Sequence, residues 1–108
     1  MVWIEQKKDF WLGFLSSNQI VDHNTRAYAV IWREEEKDFR YVSESFDRSK
    51  IFTDNYQYPA FFLAEMQVEY FVRYGERANK EVSPTNDFRP KYFPENYYIQ
   101  DSLRERDE

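Results

Sequence analysis

The chain of 108 residues has no cysteine, only two glycines and no long apolar run. Without cysteine it can form no disulfide, no thiolate nucleophile and no thiolate-bound zinc or iron–sulfur site. Gly13 and Gly75 are too far apart for a glycine-rich phosphate loop, which excludes the common nucleotide-binding motifs. No run approaches the roughly 18–20 residues of a membrane span, and charged residues interrupt the N-terminal segment, unlike a signal peptide. We therefore expect a cytoplasmic protein with no membrane partner.

Aliphatic residues are scarce and aromatic residues are abundant. Leucine occurs four times, whereas the chain holds ten Phe, nine Tyr and three Trp. Aromatic side chains bury large areas, and Tyr keeps a polar tip that can face water, so these residues are common in cores and in interfaces. The length predicts one domain over 1–108. So small a core is expected to leave some ring surface for contacts.

The strongest strand signal lies at 26–46. "RAYAVIW" is β-branched and aromatic, and "DFRYVSESF" alternates, with Phe39 and Tyr41 on one side and Val42 and Phe46 on the other. The charged connector "REEEKD" separates them, which predicts an antiparallel hairpin. "NQIVDH" predicts a short additional strand, and 47–58 reads as a loop.

Two segments have helical spacing. Apolar residues at 3–16 recur at i, i+3 and i+4, which predicts an N-terminal helix, with a strand over "FWLGFL" as the alternative. The main helix is expected over about 59–74, beginning at Pro59. Gly75 is one candidate for its end; Ser83-Pro84 is the other.

The segment that begins at Ser83-Pro84 has a different composition. It holds three of the four prolines and the ring-rich stretch "DFRPKYFPENYYI", which predicts an extended aromatic arm over 84–100 and a frayed end over 101–108. The predicted fold is therefore α+β: an antiparallel sheet of two to four strands packs against the main helix, and the N-terminal helix and the arm complete the core.

The apolar surface of the main helix is wider than one sheet requires. Glu65, Glu69, Arg73 and Glu76 form a narrow polar stripe, in which Glu69 and Arg73 have the favourable i, i+4 order. The N-terminal helix, the arm, a second copy of the chain or another protein can cover the remaining apolar surface. The predicted partner-binding residues are Phe62, Met66, Tyr70 and Tyr74 on the helix and Tyr92, Tyr97 and Tyr98 on the arm.

Three other constellations carry weaker signals. The acidic residues Glu34, Glu35, Glu36 and Asp38 lack a calcium-loop pattern. They predict a solvated loop or, together with Glu44, Asp47 and Asp54, an acidic face that engages a basic partner, as in DNA-mimic inhibitors. "FRPKYF" mixes rings with Arg89 and Lys91, as single-stranded nucleic-acid binders do, but its prolines favour a strap across the core. His23, the only histidine, lies in the polar segment "VDHNTR", which favours a surface role over general-base catalysis.

The net charge of −5 does not favour nucleic-acid binding, since phosphate contacts require a basic surface. The sequence offers no motif for a metal, a cofactor or catalysis. We expect a non-enzymatic regulatory protein that acts by protein–protein contact, with another protein or a second copy as partner. Small proteins of this composition are common in phage and mobile-element genomes, where many inhibit host proteins. A single-stranded nucleic-acid binder and a DNA mimic are the alternatives.

Overall fold

A five-stranded antiparallel sheet with one long helix on it forms the framework of the protein. The computed structural model describes residues 1–21, 25–34, 36, 38–54, 56–78, 92–94 and 97. The strands are β1 (Val2–Lys7), β2 (Phe10–Phe14), β3 (Ala29–Trp32), β4 (Arg40–Glu44) and β5 (Ile51–Phe52), and the helices are α1 (Ser17–Val21) and α2 (Phe61–Tyr74). The α+β class is confirmed, but the sheet has five strands instead of the two to four expected.

Each strand pairs with the next strand along the chain, so the sheet order is β1-β2-β3-β4-β5. The hairpin predicted within 26–46 is confirmed as β3 and β4, with Val30 opposite Val42 and Ile31 opposite Tyr41. Because side chains alternate along a strand, Ile31 and Tyr41 face one side of the sheet and the two valines face the other.

The predicted N-terminal helix over 3–16 is wrong, and the alternative strand over "FWLGFL" is the element that forms. β1 and β2 make an antiparallel hairpin in which Trp3 lies opposite Gly13 and Ile4 opposite Leu12. Asp9, in the connecting turn, has a positive φ of 62°. Because both sides of β2 are covered, its residues are apolar on both sides. The sequence therefore lacks the alternation of apolar and polar residues that marks a half-exposed strand.

Gly13 is required by a close approach within this hairpin. The indole of Trp3 lies across it, and a Cβ at position 13 would be 2.7 Å from Trp3 Cζ3 and 2.8 Å from Cη2. Glycine in a strand interior often marks such a contact. Gly13 therefore has a packing role in the sheet.

Two shorter segments also differ from expectation. The strand expected in "NQIVDH" is wrong where the structure describes it, because Ser17–Val21 is α1, and the Leu15 N–H donates to Gln19 Oε1 at 2.8 Å. Within 47–58, which was expected to be a loop, Ile51 and Phe52 form β5 and pair with Glu44 and Ser43. His23, in the remainder of the first segment, lies outside the described residues.

Helix α2 covers the first face of the sheet. Its buried residues pack against inward side chains of β3, β4 and β5; the cluster contains Ala29, Ile31, Phe39, Tyr41, Phe52, Tyr58, Ala64, Val68, Phe71 and Val72. The rings of Phe52 and Phe71 stack at 5.0 Å. At the start of the helix, Phe61 contacts the rings of Trp3, Trp11 and Phe39 at 5.5, 5.0 and 5.9 Å. The amphipathic helix is thus fixed on the sheet from its first turn.

Helix α2 ends at Gly75, one of the two termini expected. Gly75 adopts φ 71°, and its N–H donates to Phe71 O at 2.8 Å. This left-handed C-terminal geometry carries little strain for glycine, which has no Cβ.

The second face of the sheet carries a separate apolar cluster. It consists of Phe10, Leu12, Phe14, Ala27, Val30, Trp32, Val42 and Phe93. Among the described residues near the C-terminus, Tyr92 lies with its ring 4.9 Å from the rings of Phe10 and Trp32, and Tyr97 lies 5.2 Å from Phe10. The rest of the predicted arm over 84–100, and the end over 101–108, lie outside the described residues, so the arm as an element stays a prediction.

Candidate interaction site

The outer side of α2 presents a ridge of large side chains to solvent. Phe62, Met66, Tyr70 and Tyr74 follow one another at intervals of four residues, which places them on one side of an α-helix. Phe62 is 59% exposed, Met66 55% and Tyr74 59%. Tyr70 is half-buried, and its ring lies 4.7 Å from that of Tyr74. We call these four residues the α2 ridge.

A charged flank runs beside the ridge. The N-terminal ammonium of Met1 donates to Glu69 Oε1 at 2.6 Å. The ion pair expected between Glu69 and Arg73 is not present among the described contacts, and Arg73 is exposed. Glu65, one turn before Glu69, is partly exposed. We call Glu65, Glu69 and Arg73 the charged flank. Glu69 is neutralised by its ion pair, whereas Glu65 and Arg73, one turn to either side, have no ionic partner in the described part of the chain.

Phe46 adds a further exposed ring that the sequence did not identify. Alternation placed it on the same side as Val42, but β4 ends at Glu44, and Phe46 lies in the following turn with 66% of its surface exposed. Clefts of about 210 and 300 Å³ adjoin it, and both are lined by Val72 and Arg73 of α2. The exposed ring is thus next to the C-terminal half of the α2 flank.

The turn that carries Phe46 is held by hydrogen bonds to one carboxylate oxygen. Asp47 Oδ1 accepts from the Ser45 hydroxyl at 2.8 Å and from the Ser49 hydroxyl and N–H at 2.6 and 3.0 Å. The hydrogen bonds from Ser49 and then Ser45 lower the pKa of Asp47 to about 2. Arg48 adopts a positive φ of 62°. The turn therefore has a defined geometry that projects Phe46 outward.

A buried carboxylate stabilises the same turn from the second face of the sheet. Glu44 accepts from Arg48 Nη1 at 2.9 Å and from Arg26 Nη2 at 3.4 Å. Arg48 also donates to the carbonyls of Arg26 and Ala27 at 2.8 and 3.2 Å, and its guanidinium lies 3.8 Å from the centre of the Tyr28 ring. Because both charges have close partners, this pair joins the β4–β5 turn to the segment before β3.

A second buried carboxylate is bonded both to β4 and to the segment that leads into α2. Asp54 Oδ2 accepts from the hydroxyls of Tyr41 and Tyr58 at 2.8 and 2.9 Å, and Oδ1 accepts from the Tyr56 N–H at 2.8 Å. Burial, and then the charge of Asp54, raises the pKa of Tyr41 and of Tyr58 well above the ordinary tyrosine range. Three donors from the chain itself engage the two oxygens, so the cluster ties β4 to the segment that leads into the helix.

The other predicted site residues are placed apart from the ridge. Glu34, Glu36 and Asp38 are exposed between β3 and β4, and Glu35 lies outside the described residues. Tyr92 and Tyr97 are half-buried against the second face of the sheet, and Tyr98 lies outside the described residues. The partner-binding role predicted for these tyrosines stays a prediction.

No group of three or more His, Cys, Asp or Glu in the described part of the chain is placed to hold a metal ion. None of its helices has both the length and the apolar character needed to cross a bilayer.

Comparison of the chain with protein-family models, with curated proteins and with solved structures finds no match.

Proposed function

We propose that the protein is a non-enzymatic binding module that acts by protein–protein contact through the α2 ridge. The observation that carries the proposal is the exposure of Phe62, Met66 and Tyr74, each more than half accessible, along one side of a packed helix. Adjacent exposed apolar side chains on a rigid element are typical of protein contact sites. Tyr and Phe are enriched in the buried centres of such interfaces, and Met is too.

The inner side of α2 supports the proposal because it is already occupied. Ala64, Val68, Phe71 and Val72 fill the space against the sheet, so the ridge cannot turn inward without displacing them. Its side chains are apolar or aromatic, which suits a protein surface better than a polar substrate. A regulatory protein of the cytoplasm, including an inhibitor that covers part of a host protein, would use such a face.

Site-specific photo-cross-linking tests this function. We replace Met66 with p-benzoylphenylalanine in the full chain, express the variant in the source organism and irradiate the cells. The control carries p-benzoylphenylalanine in place of Arg40, which is exposed. Arg40 lies two residues from Val42 on β4, so both face the side of the sheet away from α2. We expect discrete protein adducts from position 66 that are absent from position 40. Equal or no adducts at the two positions would overturn the proposed function.

A further inference from the structure

We infer that the occupant of the α2 ridge is a second copy of this chain, packed with its α2 antiparallel to the first about a two-fold axis near the middle of the helix. This inference rests on the proposed function and specifies its partner. In a two-fold interface the same patch serves both subunits, so residue i contacts j and residue j contacts i. The ridge satisfies this condition: Phe62 would meet Tyr74 of the second copy, and Met66 would meet Tyr70.

The charged flank selects the antiparallel orientation. Glu65 and Arg73 are eight residues apart, about 12 Å along the helix axis, and Glu69 lies midway between them. In an antiparallel pair the flank faces itself in reverse, which places Glu65 of each copy opposite Arg73 of the other. In a parallel two-fold pair the two flanks would lie on opposite edges of the interface and would not face each other. Only the antiparallel pair brings Glu65 of one copy against Arg73 of the other.

Two observations remove the obstacles to this pairing. Glu65 and Arg73 have no ionic partner among the described residues, so each is free for an intersubunit contact. Glu69, which would lie nearest the two-fold axis and face its own copy, is already neutralised by the Met1 ammonium at 2.6 Å. The charge pattern is therefore self-complementary at all three positions of the flank.

The exposed area is sufficient for a modest dimer. Side chains of this size bury about 150–250 Å² each, so the accessible parts of Phe62, Met66, Tyr74 and the adjoining Phe46 amount to roughly 500 Å² per copy. A standard interface buries about 800 Å² per partner, and the flank supplies part of the difference. We expect self-association with a Kd on the order of micromolar.

The edges of the sheet are poorer sites for a second copy. β1 and β5 are the edge strands; β5 has only two residues, and the pairing of β1 is irregular between Glu5 and Lys7. Lys7 and Lys8 at its end are exposed. A bulge and lysine side chains are the features by which edge strands avoid pairing with other chains. The ridge is therefore the surface that better fits a copy of the chain.

Charge reversal tests both the partner and the orientation. Glu65→Arg places two arginines opposite each other in its own dimer, and Arg73→Glu places two glutamates opposite each other. We expect each variant alone to self-associate roughly 10- to 30-fold more weakly than the wild type. An equimolar mixture restores both ion pairs, so it should form a heterodimer with an affinity within about threefold of the wild type. Sedimentation velocity gives the affinities, and native mass spectrometry with one isotope-labelled variant identifies the heterodimer.

Matched controls change the same charges elsewhere. Glu34→Arg and Lys8→Glu alter the net charge by the same amounts at exposed positions away from α2, and their mixture should show no preference for the heterodimer. Far-UV circular dichroism confirms that each variant is folded. A wild-type chain that stays monomeric up to about 1 mM, far above the expected Kd, or charge variants that mix without preference, would overturn the inference.

The cross-linking experiment separates this inference from the function on which it rests. Adducts from position 66 with twice the mass of the chain support the second copy as the occupant. Adducts with a different protein only would overturn the homodimer and leave the binding function intact.

Discussion

Gly13 provides the sharpest test of the N-terminal hairpin, because the hairpin and a helix predict opposite effects of one substitution. In the structure, a Cβ at Gly13 would lie 2.7 Å from Trp3 Cζ3, 2.8 Å from Cη2 and 3.1 Å from Met1 Cε. Carbon atoms in contact prefer about 3.5–4.0 Å. The methyl group of Met1 can rotate away, but the indole is a rigid ring that also contacts Phe61, so it must shift as a whole.

We therefore expect Gly13→Ala to lower the free energy of unfolding by about 1–3 kcal/mol, the usual cost of overpacking a core by one carbon. If residues 3–16 were a helix, the same substitution would raise that free energy by about 1 kcal/mol, because alanine has the higher helix propensity. The sign of the change thus distinguishes the two structures.

A second background tests whether the Trp3 indole is the cause. Trp3→Leu lowers stability by itself, but its shorter side chain no longer reaches Gly13. In that background Gly13→Ala should be neutral or should raise the free energy of unfolding by up to about 1 kcal/mol, because alanine loses less backbone entropy than glycine. The two positions should therefore show a coupling energy of about 2 kcal/mol.

Urea unfolding followed by far-UV circular dichroism measures all four proteins without relying on tryptophan fluorescence. The midpoint should shift while the slope stays constant, which identifies a change in stability. In thermal unfolding, 1 kcal/mol corresponds to about 4–8 °C for a domain of this size. A Gly13→Ala variant at least as stable as the wild type, or an equal cost in both backgrounds, would refute the packing argument.

Three further predictions concern the polar clusters. Tyr41→Phe removes the hydroxyl that donates to Asp54 and should cost roughly 1.5–3 kcal/mol at neutral pH in urea unfolding. Because burial raises the pKa of Tyr41 above its unfolded value of 10.0, the folded chain keeps a proton that the unfolded chain releases; stability should fall above pH 10, and less steeply in the variant. Arg48→Lys keeps a charge beside Glu44 but loses two carbonyl contacts, so the thermal midpoint should fall by a few degrees, roughly 1 kcal/mol; an unchanged midpoint would contradict this role. The pKa of Asp47 is lowered from 3.8 to about 2, so its stabilisation is present above pH 3.8 and is lost as the pH falls through about 2. Asp47→Asn should therefore flatten the dependence of the thermal midpoint on pH in that window. A dependence as steep as that of the wild type would contradict this prediction.

The elements that the sequence predicted correctly have strong local signals. The β3–β4 hairpin combines β-branched residues with a charged connector, and Gly75 ends α2 in a conformation that favours glycine. The N-terminal segment was misread because both faces of the sheet are covered. Phe10, Leu12 and Phe14 face one cluster and Trp11 the other, so the apolar residues of β2 do not alternate with polar ones. The apolar residues of 3–16 then fit a helical spacing by coincidence. Only the pairing of β2 with β3 decides between a helix and a strand.

The candidate site was predicted only where helical periodicity defines it. Phe62 and Met66 were among the partner-binding residues predicted on the main helix, and the structure leaves both exposed. Phe46 was assigned to the sheet because alternation was extended past the end of β4. The assignment of Glu44 and Asp54 to an exposed acidic face is wrong, because both carboxylates are buried. Their partners are distant in sequence, Arg26 for Glu44 and Tyr41 for Asp54.

The architecture also explains why the ridge is suited to binding. Helix α2 forms an outer layer, since its inner side fills the first face of the sheet and no described element lies over its outer side. Three rings hold Phe61 at its start, and the Gly75 cap fixes its end. A partner therefore meets side chains on a helix whose backbone is already ordered. Binding then costs mainly the side-chain freedom of Phe62, Met66 and Tyr74, so a small interface can still yield a measurable affinity.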